Sequence, residues 1–386
     1  MRILIVTQDW PTTAYRRAGI FAFDEYQSYL ADGHDVCVLV LFRWALRARG
    51  SFWESGVTTR QVSHCNELLN LQARNDDFKV VLMAPFPVSL EISLFFARLP
   101  PIFTDIDFDL ILINSILGAG SAIAWLRRIF VSSNFVLREH DDPSLMSDQV
   151  FQDLMSKYCH FDWIWANSKF TKKALLAKMG GVKKSEKFPA IVIKYPRINP
   201  LFLNLGHIYP PRFGFKFLTV CNLIREKCIE KLIKLMKVLD EFGLDWDWAV
   251  VGDGRLRKGF QQLVAARGWT RRVTFEGEMF RHELLALYQK STIYVQFSVG
   301  ETFGVAPLEA YLSGCKLIVS ENVPSLHELG LVMDSDVFVV PSCEIFATRK
   351  GELLDFLNSP KNYDADFRRF RLSSDLKRSV LGEMAL

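Results

Sequence analysis

Short apolar runs rich in Val and Ile alternate along this chain with amphipathic stretches, and strands so continuously apolar must be covered on both faces. That pattern confines the chain to βα units stacked into parallel sheets, an α/β fold. In the first half, strands are expected at residues 3–7, 36–41, 79–83, 110–114, 134–138 and 163–166, and helices at 21–31, 120–130 and 169–179. A second series of strands follows at 217–221, 248–251, 273–275, 293–296, 316–320 and 337–340. Helical spacing is clearest at 230–242, where Leu232, Ile233, Leu235, Met236 and Leu239 recur, and the form repeats at 256–267 and 283–290.

Between the two series, residues 195–215 hold Pro196, Pro200, Pro210 and Pro211 with little periodicity, the composition of a linker. A boundary near residue 205 divides the 386 residues into two domains, 1–205 and 206–386, each of ordinary size. The charged tail beyond residue 364, with Phe370, Leu372 and Val380, is expected to form a helix packing back across the surface. Two such domains define a cleft, and ligands of parallel sheets bind outside the carboxyl ends of the strands. Function is therefore to be sought in the strand-to-helix loops.

Composition removes several classes. With 49% hydrophobic and 23% charged residues the chain is neither disordered nor collagen-like. A net charge of +4 is too weak to argue for nucleic acid as a partner. The seven cysteines are scattered and never spaced as CxxC, so neither a disulfide framework nor a zinc site is indicated, and a reducing cytoplasm fits. The apolar start reaches Gln8, Asp9 and Pro11 without the core of a signal peptide and reads as a first strand. The apolar stretch 110–126 is broken by Asn114, Ser115, Gly118 and Gly120, whereas a membrane span needs about 20 largely apolar residues. The acidic pairs Asp105/Asp107, Asp107/Asp109 and Asp245/Asp247 sit beside strands and read as loop and edge residues, so no metal is expected.

The segment with the most chemistry is Ser298-Val299-Gly300-Glu301-Thr302-Phe303-Gly304-Val305-Ala306-Pro307-Leu308-Glu309-Ala310, directly after the strand at 293–296. Glycines on both sides of Glu301 let the backbone approach a ligand, and a helix beginning near Val305 points its free N–H groups at the same place. Together they make an anion seat with a carboxylate beside it. Glu309, a turn inside that helix, is placed to address another part of an elongated ligand. A solvated Glu301 and a Glu309 helped by the helix dipole is the lesser reading of this loop taken alone.

Here the chain resembles the GT-B glycosyltransferases, and among them glycosyltransferase family 4. Glu301 and Glu309 are set as in that family's E-G-F-G-x-x-x-x-E-A pattern. Further matches follow in the family's order: Val250-Val251-Gly252-Asp253-Gly254, Val273-Thr274-Phe275-Glu276-Gly277, Ala310-Tyr311-Leu312-Ser313-Gly314 and Val323-Pro324-Ser325-Leu326-His327-Glu328. In the first half they are Gly19-Ile20-Phe21, Gly33-His34-Asp35-Val36, Arg138-Glu139-His140, Ala166-Asn167-Ser168 and Tyr195-Pro196-Arg197-Ile198.

The resemblance implies two Rossmann-like domains facing a cleft, the first on the acceptor side and the second holding a nucleotide sugar. It implies a hexosyltransferase that moves a sugar from a nucleotide diphosphate sugar with retention of configuration. Glu301 would bind hydroxyls of the donor sugar, Glu309 the ribose hydroxyls, and the amides of Phe303, Gly304 and Val305 the diphosphate. The residue chemistry agrees, since a carboxylate suits neutral hydroxyls and N–H donors suit phosphate oxygens.

Lys227 matches the family's diphosphate lysine, a cation that would stabilise the leaving group. The family's G-R-L-x-x-x-K-G reads here from Cys221-Asn222-Leu223 to Lys227-Cys228, so Asn222 stands for an arginine whose charge and fork it cannot supply. Arg225 either restores part of that charge or is an exposed loop residue. His140, beside Glu139, Asp141 and Asp142, matches the histidine the family sets against the donor sugar. Gly19 lies where the family lets the diphosphate approach, and Arg16 and Arg17 near it either steer a phosphate or are solvated. No cofactor is implied beyond the nucleotide sugar as substrate, and family habit makes the acceptor a glycan or glycolipid of a cell-surface polysaccharide.

Residues 42–53, 95–98 and 125–130 mix arginine with large aromatics, which suits an anionic membrane surface and equally suits core packing with the arginines exposed. The corresponding localisation is cytoplasmic, peripheral on the inner face of the membrane. Rival readings remain: a nucleotide-sugar epimerase of the same fold, or a catalytically silent binding or partner subunit, motivated by Asn222 and Cys228. A nicotinamide dehydrogenase is weaker, because Gly252-Asp253-Gly254 lacks the third glycine of GxGxxG.

Overall fold

The computed structural model describes residues 1–9, 19–40, 81–83, 107–180, 188–202, 214–341 and 349–360. The chain divides into two compact units, Met1–Tyr195 and Pro196–Leu386, and the proline-rich segment begins at this division. The tail beyond residue 364 lies outside the described residues.

In the first unit, β1 (Arg2–Thr7), β2 (Asp35–Val40), β3 (Val81–Met83), β4 (Leu110–Asn114), β5 (Asn134–Glu139), β6 (Trp163–Ala166) and β7 (Ala190–Ile193) form one sheet in the order β3-β2-β1-β4-β5-β6-β7. Every pairing in it is parallel. The described helices are α1 (Ile20–Ala31), α2 (Ile123–Ile129), α3 (Asp148–Tyr158) and α4 (Lys169–Gly180). Alternate residues of a strand face opposite sides, and both sides are covered. Leu4, Val6, Ile111 and Ile113 join a core with Leu126, Phe151 and Leu175, while Ile3, Ile5 and Leu112 join another with Phe23 and Tyr26 of α1. This two-sided burial is why β1 and β4 read as unbroken apolar runs.

The helix expected at 120–130 is in fact a 3-10 turn, Ala119–Ala122, followed by α2. Gly120 packs so closely on Ile116 that a Cβ there would come within 2.9 Å of its Cδ1, and the tighter turn keeps that contact.

In the second unit, β8 (Phe215–Val220), β9 (Trp246–Val251), β10 (Val273–Gly277), β11 (Ile293–Gln296), β12 (Lys316–Ser320) and β13 (Val337–Val340) form a parallel sheet in the order β10-β9-β8-β11-β12-β13. Its described helices are α5 (Ile229–Glu241), α6 (Arg257–Ala266), α7 (Arg281–Lys290), α8 (Val305–Leu312), α9 (Pro324–Glu328) and α10 (Lys350–Asn358). Leu232, Leu235, Met236 and Leu239 of α5 pack with Phe217, Trp248 and Val250 of the sheet. In this unit the strand order reverses between β8 and β11. At such a switch point the connections leave in opposite directions and open a crevice at the carboxyl ends of the two strands.

Candidate active site at the β8/β11 switch point

The loop after β8 is held from below by the loop after β9. Amides of Cys221 and Leu223 donate to the carbonyls of Val251 and Asp253 at 3.1 and 2.8 Å, and the Leu256 amide donates back to Leu223 O at 2.9 Å. Gly254, at φ 154°, lies so close that a Cβ would meet the Leu223 backbone, which accounts for glycine there. Leu223 is buried, and Arg225–Lys227 form a single 3-10 turn that presents Lys227. Cys228 then takes a left-handed conformation, φ 45° and ψ 51°, at the start of α5. The resemblance expects glycine at this position, and a side chain there costs about 1–2 kcal/mol.

The loop after β11 reaches across: the Val299 amide donates to Glu226 O at 2.9 Å. It ends at Gly304, whose φ of 89° turns the chain into α8. A Cβ on Gly304 would come within 2.6 Å of Val323 Cγ1, and Ser325 fastens the turn by donating from its amide to Phe303 O (2.8 Å) and from its hydroxyl to Gly304 O (3.0 Å). The Val323-Pro324-Ser325 motif is thus the clamp on the Glu301 loop. No side chain caps α8, so its first-turn N–H groups are the unsatisfied donors of a helix N-terminus.

Lys227 Nζ forms an ion pair with Glu301 Oε1. The same oxygen accepts from Gln296 Nε2 at 2.6 Å and Ser298 Oγ at 2.9 Å. The side-chain carbonyl of Gln296 accepts from the Tyr294 hydroxyl, whose pKa burial pushes well above its ordinary value, so that it remains a donor. Asn222 and Arg225 are exposed on the Lys227 loop. Glu309 falls one turn into α8 as its spacing predicts, but it is only 1% exposed. Its Oε1 pairs with Arg281 Nη1, and Tyr288 OH lies 3.4 Å from Oε2. The Arg281 guanidinium rests 5.7 Å from the Phe202 ring centroid.

The first unit places its expected residues at the carboxyl edge of its own sheet. Asn114, His140 and Asn167 follow or end β4, β5 and β6. Asn167 Nδ2 lies 3.3 Å from His140 Nδ1 and can only donate, so the ring proton sits on Nε2, 3.2 Å from Asn114 Oδ1. Phe21 stacks on the imidazole with centroids 5.4 Å apart. Burial, and secondarily the charge of Arg138, lowers the His140 pKa to about 3. The ring is therefore a neutral hydrogen-bonding group. Neighbouring Glu139 is fully buried between Tyr158 OH (2.9 Å) and the Asp141 amide (3.1 Å), and burial raises its pKa well above the carboxylate range. Gly19, at φ 63°, is the residue from which α1 starts.

Arg16, Arg17 and the stretches 42–53 and 95–98 lie outside the described residues. Of the three arginine-aromatic stretches, only 125–130 is described. Leu126 and Phe130 are buried, and Arg127 is engaged by Asp162 and the His160 carbonyl, each at 2.7 Å. Asp109 accepts from the Arg2 amide at 2.7 Å, as an edge residue does. Among the described residues no helix is long and apolar enough to cross a membrane.

Residues 214–344, which carry the Lys227–Glu301 site, match the family model described as Glycosyl transferases group 1. The chain is 35% identical over 114 residues to the O-antigen chain mannosyltransferase RfbU of Salmonella typhimurium, covering 29% of this chain and 31% of that one. It is 26% identical over 184 residues to the UDP-N-acetylglucosamine--peptide N-acetylglucosaminyltransferase GtfA subunit of Limosilactobacillus reuteri subsp. suis, covering 46% of this chain and 35% of that one. These matches span about a third of the length of each relative. The crystal structure of Anabaena HepE in complex with UDP and glucose superposes with a TM-score of 0.65 at 17% identity, over 99% of this chain and 98% of that chain. The fold is GT-B, and the resemblance to glycosyl transferases group 1 extends over residues 214–344, which include the Glu301–Glu309 segment.

Proposed function

We propose that this chain is a retaining, metal-independent hexosyltransferase, moving a sugar from a nucleotide diphosphate sugar to a glycan or glycolipid acceptor of a cell-surface polysaccharide. The observation that carries this reading is the meeting of Lys227, Glu301 and the N-terminus of α8 at the β8/β11 switch point. A cation and free amides suit the diphosphate, and an ionised carboxylate suits sugar hydroxyls. The mannosyltransferase RfbU, the N-acetylglucosaminyltransferase subunit GtfA and the UDP and glucose held by HepE support the same substrate class.

In this account the diphosphate draws Lys227 away from Glu301 and accepts from the α8 amides. These donors stabilise the negative charge that grows on the leaving oxygen as its bond to the anomeric carbon breaks. Glu301 holds the sugar by its hydroxyls while that carbon gains positive charge. The acceptor hydroxyl attacks from the face the phosphate leaves, and its proton passes to the departing phosphate oxygen, so configuration is retained. His140, neutral at every physiological pH, serves as a hydrogen-bonding group.

The test is incubation with UDP-glucose, UDP-galactose, UDP-N-acetylglucosamine and GDP-mannose, reading nucleoside diphosphate release. Release from one of them, abolished by Glu301→Ala, is expected. Interconversion of the donor sugar without release would instead favour the epimerase, and binding with no turnover the silent subunit.

A further inference from the structure

We infer that Gln296 is a positioning residue for Glu301, fixing the carboxylate so that Oε1 is held by the protein and Oε2 is the atom offered to the donor sugar. This rests on the reading of Glu301 as the sugar ligand.

A glutamate on a loop has a soft, nearly two-fold terminal torsion, so its two oxygens are interchangeable unless something distinguishes them. Here the three donors Lys227, Gln296 and Ser298 all converge on Oε1, and among the described residues nothing donates to Oε2. The three are not equivalent. Lys227 is the group that the diphosphate must claim, so it leaves Glu301 when donor binds. Ser298 has a hydroxyl that rotates. Gln296 is 3% exposed, and turning its amide over would set its carbonyl oxygen against Glu301 Oε1 and away from the Tyr294 hydroxyl, which lies against that carbonyl oxygen and 3.2 Å from Val220 O. Tyr294 and Gln296 are two residues apart on β11 and so share one face of the strand. The Tyr294–Gln296–Glu301 chain therefore runs from the rigid sheet to the carboxylate, and it persists when Lys227 has moved.

The experiment compares the parent with Gln296→Leu and Gln296→Glu, measuring UDP affinity by calorimetry, and kcat and KM for whichever of UDP-glucose, UDP-galactose, UDP-N-acetylglucosamine and GDP-mannose the parent cleaves. Gln296→Leu is expected to keep UDP affinity within about twofold and to lose about tenfold or more in kcat. Gln296→Glu is nearly isosteric but places an acceptor where a donor is needed. Its kcat is expected to be low at pH 8 and to recover toward pH 5, as one proton comes to be shared by the two carboxyls and restores the bond. Gln296→Leu shows no such recovery. A side chain that merely fills space would give no pH-dependent difference between the two variants. Parental kcat in both variants, or equal loss of UDP binding and kcat, overturns the inference while leaving the functional reading intact. A parent that neither binds nor cleaves any of the four donors overturns the functional reading, and the role of Gln296 with it.

Discussion

Lys227 and Glu301 are 74 residues apart in sequence and form an ion pair, so the cation suited to a diphosphate rests on the carboxylate suited to a sugar. The pairing follows from topology. β8 and β11 are neighbours in the sheet, and each residue lies on the loop that leaves its strand at the carboxyl end. In the proposed account donor binding would exchange one anionic partner of Lys227 for another, while Glu301 would keep Gln296 and Ser298, which donate to it in this structure.

Lys227→Met should therefore weaken nucleoside diphosphate binding rather than unfold the protein. A hydrogen bond to a charged group contributes about 1.5–3 kcal/mol, so calorimetry at fixed ionic strength should show a loss of roughly ten- to more than a hundredfold. Unchanged affinity would remove Lys227 from the diphosphate site.

Glu309 and Arg281 behave differently because both are buried. Removing one partner of a buried pair leaves an uncompensated charge and costs about 3–5 kcal/mol, whereas replacing both by apolar groups is often neutral. Glu309→Leu should lower the unfolding free energy by that order, and Glu309→Leu with Arg281→Met should recover most of it. A double variant as unstable as the sum of the single ones would mean that the two groups are not coupled. Nucleoside diphosphate affinity in the stable double variant then reports whether Glu309 also serves the ribose.

His140 has its pKa lowered from the ordinary 6.5 to about 3, chiefly by burial. The unfolded chain binds this proton below about pH 6.5 and the folded chain only near pH 3, so the associated stability is present above pH 6.5 and lost as pH falls through that window. Urea unfolding of His140→Asn should therefore decline less steeply than that of the parent between pH 6.5 and 4. Glu139, with its raised pKa, acts in the opposite direction in both proteins and drops out of the difference. Parallel pH profiles would show that the imidazole is not held neutral.

Transfer is expected to persist in excess chelator, since Lys227 and the α8 amides are the groups assigned to the diphosphate. Loss of turnover in EDTA, restored by magnesium or manganese, would contradict that assignment.

The strands and the Glu301–Glu309 segment were legible because their signals are local. β4, β6, β11, β12 and β13 have the bounds their apolar runs predict. β7 was not, because it is a four-residue edge strand in which only alternate positions are partly buried. α3 was missed although Ser147 caps it, accepting from the Val150 amide. Within the site, Gln296 reads in sequence as a polar strand end, and Arg281 as a cation in the first turn of α7, where the helix dipole disfavours one. Each is explained by a carboxylate reached through folding, Glu301 across the β11 loop and Glu309 28 residues away, and no periodicity encodes such a partner. Cys228 was visible only as a departure from the expected glycine, and the structure adds that the left-handed turn is kept without it.

The central claim is that Glu301 holds the sugar of a nucleotide diphosphate sugar through the bond-breaking step. The most direct measurement is the rate of nucleoside diphosphate release from the preferred donor by the parent and by Glu301→Ala, at saturating donor. The account predicts measurable release by the parent and a fall in kcat of roughly thirty- to more than a hundredfold in the variant, corresponding to about 2–3 kcal/mol of lost transition-state stabilisation, with nucleoside diphosphate affinity nearly unchanged. Release by Glu301→Ala at the parental rate would contradict it.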